Sequence, residues 1–340
     1  MRNKRITIRD IAKEAGVSVA TVSRYINKVS YTSLEAEKKI QEAMDKFDYI
    51  PNPVARGLAK QKSNMIALIT PDITNPFFPE LFKSIEQVAK NKGYYLILIN
   101  SNNEDLKSDD FWKNFKSRYI DGFILAESEF NFDRNNYIES LNIPFVRVDR
   151  AVKSDDVNSV SIDNYQGARL AVNHLLEMGC KRIAHISGPS EIFPSQERLK
   201  GYLTVMNEQS SKPIVYEGDF TLDSGKIETE NLMGKHPDVD GIFFANDLMA
   251  IGSLKAFYSL KINVPDEVAI IGFDGIHLTE IVNPEISTIE QPIGKIGEIA
   301  TSRLIGIIEG TNEKDTEDQE NELQIKLMPR KSSFGFMEKK

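Results

Sequence analysis

The sequence predicts a small N-terminal all-α head with two helices about a glycine turn, followed by an α/β body of two doubly wound parallel-sheet lobes. Three observations carry this: a helix–glycine–helix pattern within residues 7–27, a reversal of charge near residue 64, and short apolar runs alternating with longer amphipathic ones from Met65 onward. At 340 residues the chain is long enough for more than one hydrophobic core.

In the head (TIRDIAKEAGVSVATVSRYIN, residues 7–27), Ile8, Ile11, Ala12 and Ala15 recur on one helical face, so a first helix runs from about Thr7 to Ala15. Gly16 ends it where a turn needs positive φ. Ser18 suits the cap of a second helix carrying Val19, Ala20, Thr21, Val22, Ser23, Arg24 and Tyr25. Val22 and Ile26 then face inward, leaving Val19, Ala20, Ser23 and Arg24 outward. Small side chains followed by an arginine fit a major groove, where a guanidinium can grip guanine O6 and N7 together. An ordinary helical hairpin shares this pattern, and charge separates the two readings. Residues 1–64 hold 13 Lys and Arg against 7 Asp and Glu, a net of +6. The remainder holds 29 against 43, a net of −14. A basic head on an acidic body reads as a nucleic-acid module joined to a domain kept off the phosphate backbone.

After the helix pair, Leu34–Phe47 is amphipathic, with Ile40, Met44 and Phe47 available to cover it. Tyr49-Ile50-Pro51-Asn52-Pro53 ends that unit, because proline cannot continue a helix. The helix-competent Pro53–Ala59 is too short to be stable alone and is expected to order only when docked.

The body begins with the strand-like runs MIALIT (65–70), YYLILIN (94–100), DGFILAE (121–127) and PFVRVD (144–149). A second series follows as RIAHIS (182–187), DGIFFAN (240–246) and VAIIGFD (268–274). Helical patterns at Pro79–Lys92, Phe193–Gln209, Thr221–Lys235 and Leu248–Leu260 separate them. Buried strands alternating with helices indicate parallel sheets, and two such series indicate two lobes. Ligands of such folds bind beyond the carboxyl ends of the strands, and between lobes when there are two. Those ends carry Asn75, Asp149, Arg150, Arg198, Asn246, Asp247, Asp274 and Gln291, with Phe77, Phe78 and Phe220 as flat apolar surface. Carboxylates, amides and arginine beside aromatic rings suit a neutral sugar, whose hydroxyls donate and accept while its C–H faces stack. Each residue alone has a plainer use: Asn75-Pro76 can turn the chain, Asn246 can cap a helix, and Asp149–Arg150 can be a surface pair.

Catalytic readings find little support. His174, His185, His236 and His277 show no metal-ligand spacing, and neither Gly-x-Ser-x-Gly nor a phosphate-binding loop occurs. Asp149 and Asp274 as a glycosidase pair would leave the head unexplained. No enzyme and no metal site is expected. The single cysteine, Cys180, excludes an intramolecular disulfide and is expected to be buried packing. No apolar run follows Arg2, Lys4 and Arg5, and none reaches the roughly 20 residues of a membrane span, so a cytoplasmic protein without membrane contact is expected. Gly310–Glu322 reads as an acidic solvent loop without a site.

These segments, in order and over essentially the whole chain, resemble the lactose-repressor/galactose-repressor family of bacterial transcription regulators. The likeness rests on Thr7–Asn27, Asn52-Pro53-Val54-Ala55-Arg56-Gly57-Leu58, Asn75-Pro76-Phe77-Phe78, Ala245-Asn246-Asp247 and Gly272-Phe273-Asp274. It implies a helix-turn-helix headpiece (1–50), a hinge helix and linker (51–63) and a periplasmic-binding-protein-like effector and dimerisation body (64–340). Its first lobe would span about 64–162 plus 290–322, and its second about 163–289 plus 323–340. It further implies a homodimer on a pseudo-palindromic operator with a central CpG, with Leu58 wedged into the minor groove at the central step. The DNA-contacting positions would be Thr7, Ser18, Val19, Ala20, Thr21, Ser23, Arg24, Asn27, Asn52, Ala55, Leu58 and Ala59.

The body is similar to periplasmic sugar-binding proteins, and the ribose-binding pattern matches at Asn75, Phe77, Phe78, Asp149, Arg150, Arg198, Phe220, Asn246, Asp274 and Gln291. Galactose binders tend to carry Asp in place of Asn75 and Asn in place of Gln291. The resemblance therefore implies D-ribose as effector, no other cofactor, and a ribose-utilisation operon as target. The alternative is another sugar or a purine corepressor on the same scaffold. Pro292-Ile293-Gly294 lacks the tyrosine by which related regulators take a phosphorylated carrier protein, although Arg303 is kept, so that partner is not expected. The ending Phe334–Lys340 lacks a leucine heptad, which favours a dimer.

Overall fold

In the computed structural model, which describes residues 6–27, 31–51, 62–101, 106, 108–116, 120–126, 138, 140–148, 158–311 and 323–334, the chain divides into units Met1–Asn64 and Met65–Lys340.

The first unit contains helices α1 (Ile8–Ala15), α2 (Val19–Asn27) and α3 (Leu34–Lys46). Thr7 starts α1, its amide and hydroxyl both donating to Asp10 Oδ2 at 2.9 and 2.7 Å. Gly16 at φ +67° ends it, a conformation that costs glycine nothing. Ser18 Oγ accepts the Thr21 amide at 3.1 Å and so caps α2. Ile11, Ala12, Ala15, Val22, Ile40 and Ala43 form the buried centre, with Ile8, Ile26, Met44, Phe47 and Tyr49 packed around it. The Tyr25 hydroxyl donates to Gln41 at 2.8 Å, tying α2 to α3. The expected hinge, with Asn52, Ala55, Leu58 and Ala59, lies outside the described residues.

The described residues of the second unit form two sheets. The first consists of β1 (Met65–Thr70), β2 (Tyr95–Asn100), β3 (Gly122–Leu125), β4 (Phe145–Val148) and β5 (Ser159–Val160), all parallel in the order β2-β1-β3-β4-β5. The second consists of β6 (Ile183–Ser187), β7 (Val215–Glu217), β8 (Gly241–Phe244), β9 (Ala269–Asp274), β10 (Ser287–Glu290) and β11 (Lys326–Met328). Its order is β11-β10-β9-β8-β6-β7, with only β11 antiparallel. Leaving out β11, both sheets share one topology, with the switch in strand order beside β1 in the first and β6 in the second.

Helices cover these sheets. In the first lobe α4 (Phe77–Asn91) packs on α11 (Ile293–Glu309), and α5 (Asp109–Lys116) supplies Trp112 and Phe115 to an aromatic cluster with Phe123 and Phe145. In the second, α6 (Asn164–Glu177) pairs with α7 (Phe193–Glu208), and α8 (Leu222–Lys235) with α9 (Asp247–Leu260); a single turn, α10 (Leu278–Ile281), follows β9. The chain thus leaves the first sheet after β5, returns after β10 to lay α11 against β3, β4 and β5, and goes back to add β11 to the second sheet.

Two helices begin earlier than their apolar patterns. Asn75 Oδ1 accepts the Phe77 amide at 3.1 Å and starts α4 there rather than at Pro79. Asn246 Oδ1 accepts the Met249 amide at 3.0 Å and starts α9 at Asp247. Cys180 is buried, its Sγ donating to the Asp240 carbonyl at 3.4 Å. No described helix is long and apolar enough to cross a membrane. The acidic segment around 312–322 and the residues from 335 onward lie outside the described residues.

Candidate nucleic-acid and effector sites

Capping and core packing settle what α2 presents. Val22 is fully buried, which turns Val19 (42% exposed), Ala20 and Arg24 outward. Arg24 Nε donates to the Ala20 carbonyl at 3.3 Å, a bond that lays the side chain along the helix surface. The Ser18 and Thr21 hydroxyls meet at 2.8 Å, and Asn27 Nδ2 donates to Ser23 Oγ at 3.3 Å. Thr7 is exposed at the start of α1. The described DNA-binding candidates therefore occupy α2, its cap and the first residue before α1.

In the second lobe the strand ends converge on one buried polar array. Arg198, 3% exposed on α7, donates from Nε to Asn164 Oδ1 at 2.8 Å and from Nη1 to the Ala245 carbonyl at 2.6 Å. Its guanidinium lies 3.8 Å from the centre of the Phe273 ring, and Nη1 is 3.6 Å from Asp274 Oδ1. Gln291 Nε2 donates to the same Asp274 oxygen at 2.8 Å, while the Gln291 amide donates to the Asp274 carbonyl at 3.0 Å. Gln291 Oε1 is buried without a hydrogen-bond partner among the described residues. Asp274 sits at φ +122°, a strained conformation that persists only when its surroundings over-determine it.

Asn246 and Phe220 form a second cluster beside the first. Asn246 Nδ2 donates to the Phe220 carbonyl at 2.9 Å while Oδ1 caps α9, so both ends of its amide are engaged. Phe220 has φ +69°, and its ring crowds Gly188, where a Cβ would stand 2.3 Å from Cζ. In the first lobe Phe77 packs into the core with Leu81 and Ile85, its ring edge-on to the half-buried Phe78 at 5.3 Å. The structure therefore makes Phe77 a core residue, with Phe78 the more accessible ring. Asp149 and Arg150 lie outside the described residues.

Beside this array a cleft of about 620 Å3 is lined by Gly275, Glu290, Gln291, Pro292, Lys295 and Glu80 among others. Of the eight described effector candidates, Gln291 is the one on its wall. The His277 amide donates to Glu80 Oε1 at 3.4 Å, linking α4 of the first lobe to the loop after Asp274.

Three contributors escaped the sequence reading. Asn164 orients Arg198 from 34 residues away, and Glu80 lies one turn into α4. Asp247 was placed after its strand but given no task. It is wholly buried, and burial first, the Asp274 carboxylate second, raise its carboxyl well above the ordinary range, against the pull of the Thr288 hydroxyl and two backbone amides. Underneath, His185 stacks on Phe243 at 4.6 Å and takes part through Nδ1 in a 2.9 Å hydrogen bond with the Phe243 carbonyl; burial lowers its pKa to about 4. Among the described residues no group of three or more His, Cys, Asp or Glu is arranged to hold a metal ion.

Comparison with known proteins bears on both sites. Residues 7–52 match a model described as bacterial regulatory proteins, lacI family, and residues 172–333 match a periplasmic binding protein-like domain. The chain is 42% identical over 329 residues to the ribose operon repressor of Halalkalibacterium halodurans, covering 97% of each sequence. A structure of the Lac repressor dimer bound to operator and an anti-inducer aligns with a TM-score of 0.85 at 25% identity, covering 97% of this chain and 99% of that one. A LacI family regulator from Enterococcus faecium with bound ribose aligns with a TM-score of 0.68 at 26% identity, covering 79% of this chain and 98% of that one.

Proposed function

Because the chain belongs to the lacI family of bacterial regulatory proteins, we propose that it represses a ribose-utilisation operon and leaves its operator when D-ribose binds between the two lobes. What carries the proposal is the buried Arg198–Asp274–Gln291 array at the strand ends. It combines a fixed cation, a carboxylate acceptor and the unpartnered Gln291 Oε1, a set that can meet sugar hydroxyls as both donors and acceptors. The ribose operon repressor at 42% identity and the ribose-bound regulator at 26% support the same effector. Asn75, Phe78, Phe220, Asn246, Asp149 and Arg150 complete the proposed contacts, with Phe77 backing Phe78 from the core.

The proposed working form is a cytoplasmic homodimer. Its 1–50 heads place Val19, Ala20 and Arg24 of each protomer in the major grooves of a two-fold operator. The linker 51–63 puts Leu58 into the minor groove between the half-sites, and 64–340 senses the sugar without chemical change to it. Ribose can shift the equilibrium only by binding the operator-incompetent state more tightly, and by reciprocity operator DNA then weakens ribose binding.

Fluorescence anisotropy of an operator duplex, titrated with the full chain at fixed salt with and without D-ribose, tests the reading. Affinity about tenfold or more lower at saturating D-ribose is expected. Unchanged affinity overturns the ribose assignment, and release or tightening by another sugar or a purine base reassigns the effector.

A further inference from the structure

Asp247 is the first residue of α9 and is completely enclosed. Its Oδ2 accepts the amides of Gly275 at 2.7 Å and Ile276 at 3.0 Å, and its Oδ1 accepts the Thr288 hydroxyl at 2.6 Å. A Cβ added to Gly272 would stand 2.2 Å from Oδ1, so the glycine of Gly272-Phe273-Asp274 is what admits this carboxyl beneath β9. Burying such a group is costly unless its hydrogen bonds are met, and here three donors from two other segments converge on it.

Three of the proposed effector contacts depend on those segments. Asn246 directly precedes Asp247 and caps the same helix. Asp274 directly precedes Gly275, and its φ of +122° needs support from the backbone that follows. Gln291 directly follows the strand that contains Thr288, and it bonds Asp274 through both its amide groups. One carboxyl therefore holds the start of α9, the end of β9 and β10 in mutual register.

We propose that Asp247 is a positioning residue that touches no effector but fixes Asn246, Asp274 and Gln291 for effector binding. It rests on the effector reading above, and the test separates the two. In the full chain, D247L keeps about the volume but removes both acceptor oxygens, whereas an asparagine could still turn its N–H to the Thr288 hydroxyl. T288V removes one of the three donors and leaves both backbone bonds to Asp247, though it also removes the Thr288 oxygen 3.3 Å from the Gly275 amide. Exchange of the Gly275 and Ile276 amides, followed by hydrogen–deuterium exchange without ligand, becomes about tenfold faster or more in D247L. Its operator affinity stays within about twofold of the parent, while D-ribose affinity falls about tenfold or more. T288V shifts Ile276 exchange and D-ribose affinity the same way by less, and decides the matter if D247L does not fold. Unchanged exchange overturns the proposal, as does unchanged D-ribose affinity in a variant whose parent binds the sugar. If the parent itself fails to bind D-ribose, the ribose reading falls and the exchange result alone decides the role of Asp247.

Discussion

Replacing Arg198 by methionine strands the Asp274 carboxylate, 5% exposed, without the cation now 3.6 Å from it. It also removes the donors to the Ala245 carbonyl and to Asn164 Oδ1, and the guanidinium stacked on Phe273. Methionine fills most of the vacated volume, so the cost is chiefly electrostatic rather than that of a cavity. Removing one member of a buried ion pair costs about 3–5 kcal/mol. For a body of this size each kcal/mol moves the melting temperature by about 2–4 °C, so R198M should melt about 6–20 °C below the parent. Asp274→Asn keeps the oxygen that accepts from Gln291 but drops the charge. The double variant R198M/D274N should therefore recover about 1–3 kcal/mol relative to the sum of the single changes. Differential scanning calorimetry of the four proteins without ligand, near neutral pH, reads the cycle. R198M melting within about 2 °C of the parent, or a double variant as unstable as the sum of the two single changes, refutes the reasoning.

The head and the buried histidine give two further expectations. Arg24→Ala removes an exposed guanidinium that lies along its own helix, and should cost about 1–3 kcal/mol on the operator but much less on unrelated duplex at the same salt; equal losses on both DNAs would remove Arg24 from base reading. His185 is neutral when folded because burial lowers its pKa from 6.5 to about 4, with Arg198 acting in the same direction and the Phe243 carbonyl against it. Below 6.5 the unfolded chain binds a proton that the folded chain refuses. The stability linked to His185 is thus complete above 6.5 and declines as pH falls towards about 4, by about 3 kcal/mol in all. Urea midpoints across that window measure it, and a His185→Leu variant as pH-sensitive as the parent contradicts the assignment.

What the sequence disclosed follows from where the physics is local. The seven apolar runs read as strands are strands, six of them because a buried parallel strand must be apolar on both faces and β2 as a half-buried edge. β10 escaped, since two of its three buried residues are Ser287 and Thr288, whose polarity is met by Asp247 and by the segment 330–333 far along the chain. β11 escaped as a three-residue antiparallel edge. The caps at Ser18 and Asn246 and the turn at Gly16 were legible because they act within three or four residues. In the effector region the residue types after the strands were visible. The partnerships of Arg198 with Asn164 and of Asp247 with Gly275, Ile276 and Thr288 were not, because they join residues that only the fold brings together. The residue types and the ribose-binding pattern offer Phe77 as flat apolar surface for a ligand, whereas the structure packs it in the core. Its i, i+4, i+8 spacing with Leu81 and Ile85 already marked it as core.

The route of the chain between the sheets has a consequence for how the protein is made. The strands of the first sheet have all been translated by Val160, yet Ile296, Ile299, Ala300 and Leu304, which belong to its core, arrive only with α11. At bacterial or eukaryotic elongation rates of about 5–20 residues per second, that apolar face waits roughly 7–27 s for its cover. The second sheet is likewise unfinished until β11 emerges. The head is closed much sooner, since every residue of its core lies before Ile50. A nascent chain on the ribosome therefore carries a completed DNA reader through most of its synthesis, while the sensor that governs it is assembled only in the last few dozen residues.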